Sequence, residues 1–230
     1  MSSPKIRRSQ MIHVNHALVE ACVRDGYVMI PGAFTETQAL EARAEIDRMH
    51  GECPLIGRSE FEGCKTNCMW ALLGKSREFD AFCLIPEGYR IERVLPIGRP
   101  GETAQILHHD DAGTRMPRPR PPMSVGTATW LDDYNETNGS TRIVSGSHRW
   151  GDGVYPWDEQ AIPALARRGS VVYFLGTTWH SGGVNYCQPW LRAYEDLKTA
   201  IDPRRILAGE IDQRIMDMMV YARHSHTGVF

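Results

Sequence analysis

The chain has 230 residues, enough for one domain with a helical extension, and enough to bury a core without disulfides or a structural metal. Apolar residues make up 42% and charged residues 23%, with a formal net charge of −2. That balance leaves no strong field to attract nucleic acid or an anionic membrane surface, so neither is expected as a partner.

The N-terminal residues carry charge but no apolar run of the kind a secretory leader needs, and no window has the apolar length of a membrane span. Six cysteines occur without a Cys-x-x-Cys pair. They read as free, mostly buried thiols in a reducing compartment, and a cytoplasmic location is expected.

Residues 14–25 read as a short helix ending at Gly26, followed by a strand and a Pro-Gly turn in GYVMIPG. Thr35 and Gln38 have the spacing of a capping box. The helix they start runs to about His50, places Ala39, Ala42, Ile46 and Met49 on one face, and meets a stop at Gly51. From about residue 104 short β-rich runs alternate with turn residues: TAQILHHDD, MSVGTATWLDD, TRIVSG, GSVVYFLG and TTWHSGGVN. This is the texture of antiparallel strands closing on themselves, as in a jelly roll or cupin. Between the first two lies AGTRMPRPRPPM, whose four prolines and three arginines forbid a central strand. It reads as an exposed loop, either a plain connector or a cationic lid over a pocket. After Trp190 the pattern turns helical again, and IDQRIMDMMVYARH reads as a helix packed outside the barrel. The organisation expected is one unit over 1–230, with helices in 14–50, a β-rich core over about 88–187 and a helical region over 190–230.

ILHHDDAG, residues 106–113, sets two imidazoles beside two carboxylates. On a strand, residues i and i+2 share a face, so His108 with Asp110, or His109 with Asp111, would present one nitrogen and one oxygen to the same ion. The spacing alone does not choose between these registers, and such triplets are common in surface turns. A third ligand must come from elsewhere. His180 follows the apolar run VVYFL and precedes Gly182-Gly183, whereas His148, in GSHRW, reads as a surface turn residue. Two imidazoles and one carboxylate form the facial triad of non-haem Fe(II) oxygenases, which leaves three coordination positions for substrates.

GETAQILHHDDAG, TWLDDYNETNGSTRIVSGSHRW and GSVVYFLGTTWHSGGVN, in that order, resemble the phytanoyl-CoA dioxygenase family of Fe(II)/2-oxoglutarate oxygenases. The resemblance spans most of residues 20–185. It implies a double-stranded β-helix with flanking helices, iron bound by His108, Asp110 and His180, and His109 at the variable position of Leu-His-x-Asp. It further implies decarboxylation of 2-oxoglutarate with O₂, giving succinate and CO₂, coupled to hydroxylation of a small organic substrate. By the same analogy Gln105 and Thr141 contact the co-substrate.

The chain departs from the family in one respect that bears on activity. The arginine expected on the strand after the distal histidine, whose planar fork grips the far carboxylate of 2-oxoglutarate, is not in place. The chain reads HSGGVNYCQPWLRAYEDL, as though a segment between Asn185 and Trp190 had been lost, and a second short spot lies near VLPIGRPGETAQ. The expected barrel is therefore short of one or two strands. Arg192 is the nearest substitute and Arg142 a more distant one. Two alternatives follow: a catalytically impaired relative that keeps the metal ligands, and a cupin-like metalloenzyme that does not use 2-oxoglutarate. Met69, Trp70, Trp130 and Tyr134 are candidate pocket residues, with core packing the commoner role for such side chains.

Overall fold

The computed structural model describes residues 16–52, 72–83, 90–93, 105–114, 116–136, 139–181, 184–187 and 203–218. Helix α1 (His16–Asp25) ends where Gly26 takes a φ of 85° and its amide donates to the carbonyl of Cys22. Only glycine suits this position twice over. A Cβ there would be strained and would also press on the His148 ring and the Thr178 hydroxyl. Cys22 on this helix is half-buried, and burial pushes its thiol up to about 11, so it is an inert packing residue.

Strand β1 (Tyr27–Ile30) leads to α2 (Glu36–Glu52). The capping box forms as its spacing predicts: the Thr35 amide donates to Gln38 Oε1 at 2.9 Å, and the Gln38 amide donates to Thr35 Oγ1 at 3.2 Å. Ala39, Ala42 and Ile46 are buried on one face, and the helix runs through Gly51 to Glu52. Two short helices, α3 (Leu72–Lys75) and α4 (Asp80–Cys83), come before β2 (Arg90–Arg93).

The remaining strands are β3 (Ser124–Thr129), β4 (Arg142–Ile143), β5 (Ile162–Pro163), β6 (Val171–Leu175), β7 (His180–Ser181) and β8 (Val184–Cys187). Among the described residues they form two antiparallel sheets, ordered β1-β6-β3-β8-β2 and β5-β4-β7. From β3 onward the chain crosses repeatedly between the sheets, which is the winding of a double-stranded β-helix. Among the described residues both sheets are small, and the second is built from two-residue strands, consistent with a shortened barrel. Strand β8 fills the place between β3 and β2 immediately after β7, so the β3 backbone is paired on both sides.

The space between the sheets is closed by Trp130, Ile143, Ala164, Val172 and Phe174. Strand β6 is paired along both edges, and its apolar run buries Val171, Val172 and Phe174, with Tyr173 and Leu175 half-buried. Trp130 and Tyr134, candidates for a pocket, stack edge to face at 6.2 Å in this core. Met69 and Trp70 lie outside the described residues. The C-terminal helical region contributes α5 (Pro203–Leu207) and α6 (Gln213–Met218). No helix among the described residues is long and apolar enough to cross a membrane.

Candidate metal centre

His108 and His180 face each other across an antiparallel bridge. The His108 amide donates to the His180 carbonyl at 2.9 Å, and the His180 amide donates back at 2.8 Å. Residues paired in this way project to the same side, so the two rings lie together, with centroids 4.5 Å apart. The extended conformation stops there. At Asp110 the chain enters a 3-10 turn over Asp110–Thr114, pinned by the Asp111 amide on the Gly176 carbonyl at 2.9 Å. Strand alternation, expected to bring Asp110 beside His108, is thus not what does so: the turn folds Asp110 back toward the rings.

The carboxylate ends between the imidazoles. Asp110 Oδ1 is 3.7 Å from His108 Nε2, and Oδ2 is 3.7 Å from His180 Nε2. These separations are too long for hydrogen bonds. One ligand atom from each residue lies within 4.8 Å of the other two, and among the described residues this is the cluster that could hold a metal ion. The opposite ring nitrogens are committed elsewhere. His108 Nδ1 lies 3.1 Å from the Ile106 carbonyl and His180 Nδ1 lies 3.0 Å from the Thr178 carbonyl. A carbonyl accepts only from N–H, so each Nδ1 carries a proton, the arrangement in which Nε2 is the ring atom that can ligate a cation. The donor set fits a divalent ion of the iron group. His180 is 1% exposed, and the Asp110 and His108 side chains 6% and 16%. Phe174 packs on the His180 ring at 4.1 Å between centroids, over Gly126, where a Cβ would fall inside the phenyl ring.

The other pair does not converge. His109 turns away to meet the edge of Trp179 at 5.0 Å, and burial, helped by Arg118, holds its ring down to about 4. Asp111 is buried and accepts from Arg120 Nη1 at 3.0 Å, the Met123 amide at 2.7 Å and the Ser124 hydroxyl at 2.5 Å. It fastens the loop and has no oxygen to spare.

The proline-rich loop is less exposed than its composition suggests. Its prolines are mostly outside, but Arg118 donates to the carbonyls of Ser147 at 2.9 Å and Thr177 at 2.6 Å, and Arg120 is buried against Asp111. Arg118, Leu107, His109, Tyr155 and Trp179 border a pocket of about 280 Å³ that backs onto His108. Leu107, His109 and Trp179 alternate with the two clustered histidines, which puts this pocket on the outer side of the small sheet. Nothing in the sequence distinguishes an arginine that covers a site from one that ties down its own loop.

His148 is not a surface turn residue. It is 9% exposed, and its Nε2 lies 3.0 Å from the Val23 carbonyl, clamping α1. Burial pushes its ring below the ordinary histidine range, with Arg149 and Arg118 pushing the same way and Asp25 and the Val23 bond opposing. The folded state therefore binds this proton less readily than the unfolded chain. Its contribution is complete above the ordinary value of about 6.5 and is lost as pH falls through that value toward the depressed one. Chemical denaturation of wild type at pH 7.5 and pH 5.5 is expected to show a loss of stability that His148→Gln diminishes.

Of the remaining candidates, Gln105 is half-buried three residues before His108, and Thr141 lies two residues before Ile143, the register partner of His180. Arg142 pairs with Ser181 in register and bonds Asp158 at 2.6 Å, on the face opposite Ile143. Arg192 lies outside the described residues.

Residues 94–190 match the model of the phytanoyl-CoA dioxygenase family. The similarity to that family is confined to this segment. The dioxygenase olcK of Penicillium canescens is 38% identical over 93 residues, covering 38% of this chain and 31% of that protein. The iron/alpha-ketoglutarate-dependent dioxygenase okaE of Penicillium ochrochloron is 34% identical over 93 residues, 37% of this chain and 30% of that one. The matched stretch thus spans about a third of the length of these curated relatives. Among solved structures, the non-haem alpha-ketoglutarate-dependent carbocyclase SnoK from nogalamycin biosynthesis superposes with a TM-score of 0.60 at 18% identity, over 76% of this chain and 85% of that one. HygX from Streptomyces hygroscopicus, solved with nickel and 2-oxoglutarate bound, gives a TM-score of 0.60 at 16% identity, over 79% and 90%. At these identities the likeness speaks for the fold, and the stretch similar to the phytanoyl-CoA dioxygenase model contains His108, Asp110 and His180.

Proposed function

We propose that this chain is a non-haem Fe(II)/2-oxoglutarate-dependent dioxygenase that hydroxylates a small organic molecule, with His108, Asp110 and His180 as the iron ligands. One observation carries the reading: two imidazoles with their Nδ1 atoms bonded to carbonyls turn both Nε2 atoms toward one carboxylate, at distances that exclude direct hydrogen bonds. The name of the relative okaE supports iron and 2-oxoglutarate as its requirements, and the 2-oxoglutarate bound in HygX supports the co-substrate.

Iron and 2-oxoglutarate, when bound, supply O₂ activation and the decarboxylation that yields succinate and CO₂. The chain's own residues hold and shield. The Ile106 and Thr178 carbonyls fix the ring tautomers, Asp110 offsets part of the cation's charge, and Phe174 keeps water from the His180 side. His108, the most exposed of the three, marks the side from which substrates approach. We assign Gln105, Thr141 and Arg192 to the co-substrate. Thr141 is supported by its place on the Ile143 side of β4, and Arg192 by the family pattern. Adding 2-oxoglutarate to the anaerobic Fe(II) protein is expected to produce a visible charge-transfer band. A colourless mixture overturns the reading.

The residues of β8 favour a second reading, a relative that binds iron and fails to turn over 2-oxoglutarate, because Val184–Cys187 contains no arginine. Succinate formed in step with 2-oxoglutarate consumption decides for the first reading, and its absence from a protein that shows the band decides for the second.

A further inference from the structure

Arg120 lies in the proline-rich loop, where a cationic side chain would ordinarily be read as solvent-facing or aimed at substrate. Its side chain is 6% exposed and that of Asp111 only 2%. Arg120 Nη1 donates to Asp111 Oδ2 at 3.0 Å, and Nη2 donates to the Asp111 main-chain carbonyl, also at 3.0 Å. Nη2 also bonds the Thr114 hydroxyl, which itself donates to that carbonyl at 2.8 Å. The Asp111 carboxylate takes the Met123 amide and the Ser124 hydroxyl as well. Its own amide goes to Gly176, whose amide returns to the Ser124 carbonyl at 2.8 Å. A Cβ on Gly176 would strike both the Ser124 hydroxyl and the Asp111 carboxylate, so the approach is as close as a glycine permits.

This knot has a definite place. Asp111 directly follows Asp110, and Gly176 precedes His180 by four residues. The two segments that bring the carboxylate and the second imidazole together are therefore tied to each other at Asp111. Arg120 closes the tie from the loop. Because the 3-10 turn starts at Asp110, anything that loosens Asp111 frees the Asp110 backbone to leave the position between the rings.

We propose that Asp111 and Arg120 form a positioning pair that sets the metal affinity of the centre by holding Asp110 against His180. The inference rests on the assignment of His108, Asp110 and His180 as ligands. Partners that orient ligating groups in this way typically govern metal affinity by about 10- to 100-fold.

Co(II), followed by its visible absorption and by calorimetry, is the probe, with metal-free melting curves measured alongside. Asp111→Asn and Arg120→Gln are expected to weaken Co(II) binding about 10- to 100-fold and to alter the intensity of the bound-metal spectrum. Arg120→Lys, which keeps the charge and loses the fork, should fall between these variants and wild type. Arg168→Gln removes a half-buried guanidinium that bonds the Leu131 carbonyl and Asp132 in the outer layer, and serves as the stability control. It should lower the melting temperature and leave Co(II) affinity and spectrum as they are. Should Asp111→Asn fail to fold, Arg120→Lys carries the test. Wild-type affinity and spectrum in both Arg120 variants overturn the proposal while the metal centre stands. A wild-type protein that takes up no Co(II) overturns the ligand assignment, and the positioning pair with it.

Discussion

Asp110→Ala is expected to abolish the stabilisation that Mn(II) confers on this protein. Its carboxylate is only 6% exposed and stands between two imidazoles whose Nδ1 atoms are committed to the Ile106 and Thr178 carbonyls. A divalent ion held there would take its one anionic ligand from Asp110. Ligand present at about 100 times its dissociation constant raises stability by about 2.7 kcal/mol. Wild type should show a gain of that order in denaturant titrations with excess Mn(II), and Asp110→Ala none. An equal gain in the variant would place the metal elsewhere.

Gly126→Ala is expected to cost about 1–3 kcal/mol, the usual penalty for overpacking a filled core, and to weaken metal binding with it. The new Cβ falls inside the ring of Phe174, which is fully buried, flanked by Val172 and Ile143, and stacked on His180. The ring is stacked on the His180 ring, so its displacement is expected to disturb the centre. For a chain of this size the melting temperature should fall by roughly 2–4 °C per kcal/mol. Phe174→Leu in the same background should recover part of the loss, because the two side chains compete for one volume. Purely additive effects in the double-mutant cycle would show that they do not meet.

Much of this was legible along the chain. The capping box at Thr35 and Gln38, the buried face of α2 and the apolar strand VVYFL are local patterns, and each formed where it was expected. His180 was singled out by its place after the apolar run, and it stands on a separate strand, β7, beyond the turn that follows β6, with its ring beside that of His108.

The pairing of His108 with Asp110 was not decided by spacing. Both registers of HHDD satisfy a two-residue period, and the family resemblance, not physics, favoured one of them. The tertiary structure settles which pair converges, through a turn that no strand rule contains: the Asp111 amide reaches across the chain to Gly176, 65 positions on, and swings Asp110 inward. The fates of His148, Arg118 and Arg120 have the same character. Whether a polar side chain is solvated, buried or tied down depends on which distant carbonyl or carboxylate stands opposite it, and contacts of that range leave no periodic trace in the sequence. What the amino-acid order by itself determined was the set of elements and the side chains available for chemistry; their closure on one point, and the knot that holds them there, came only with the packed barrel.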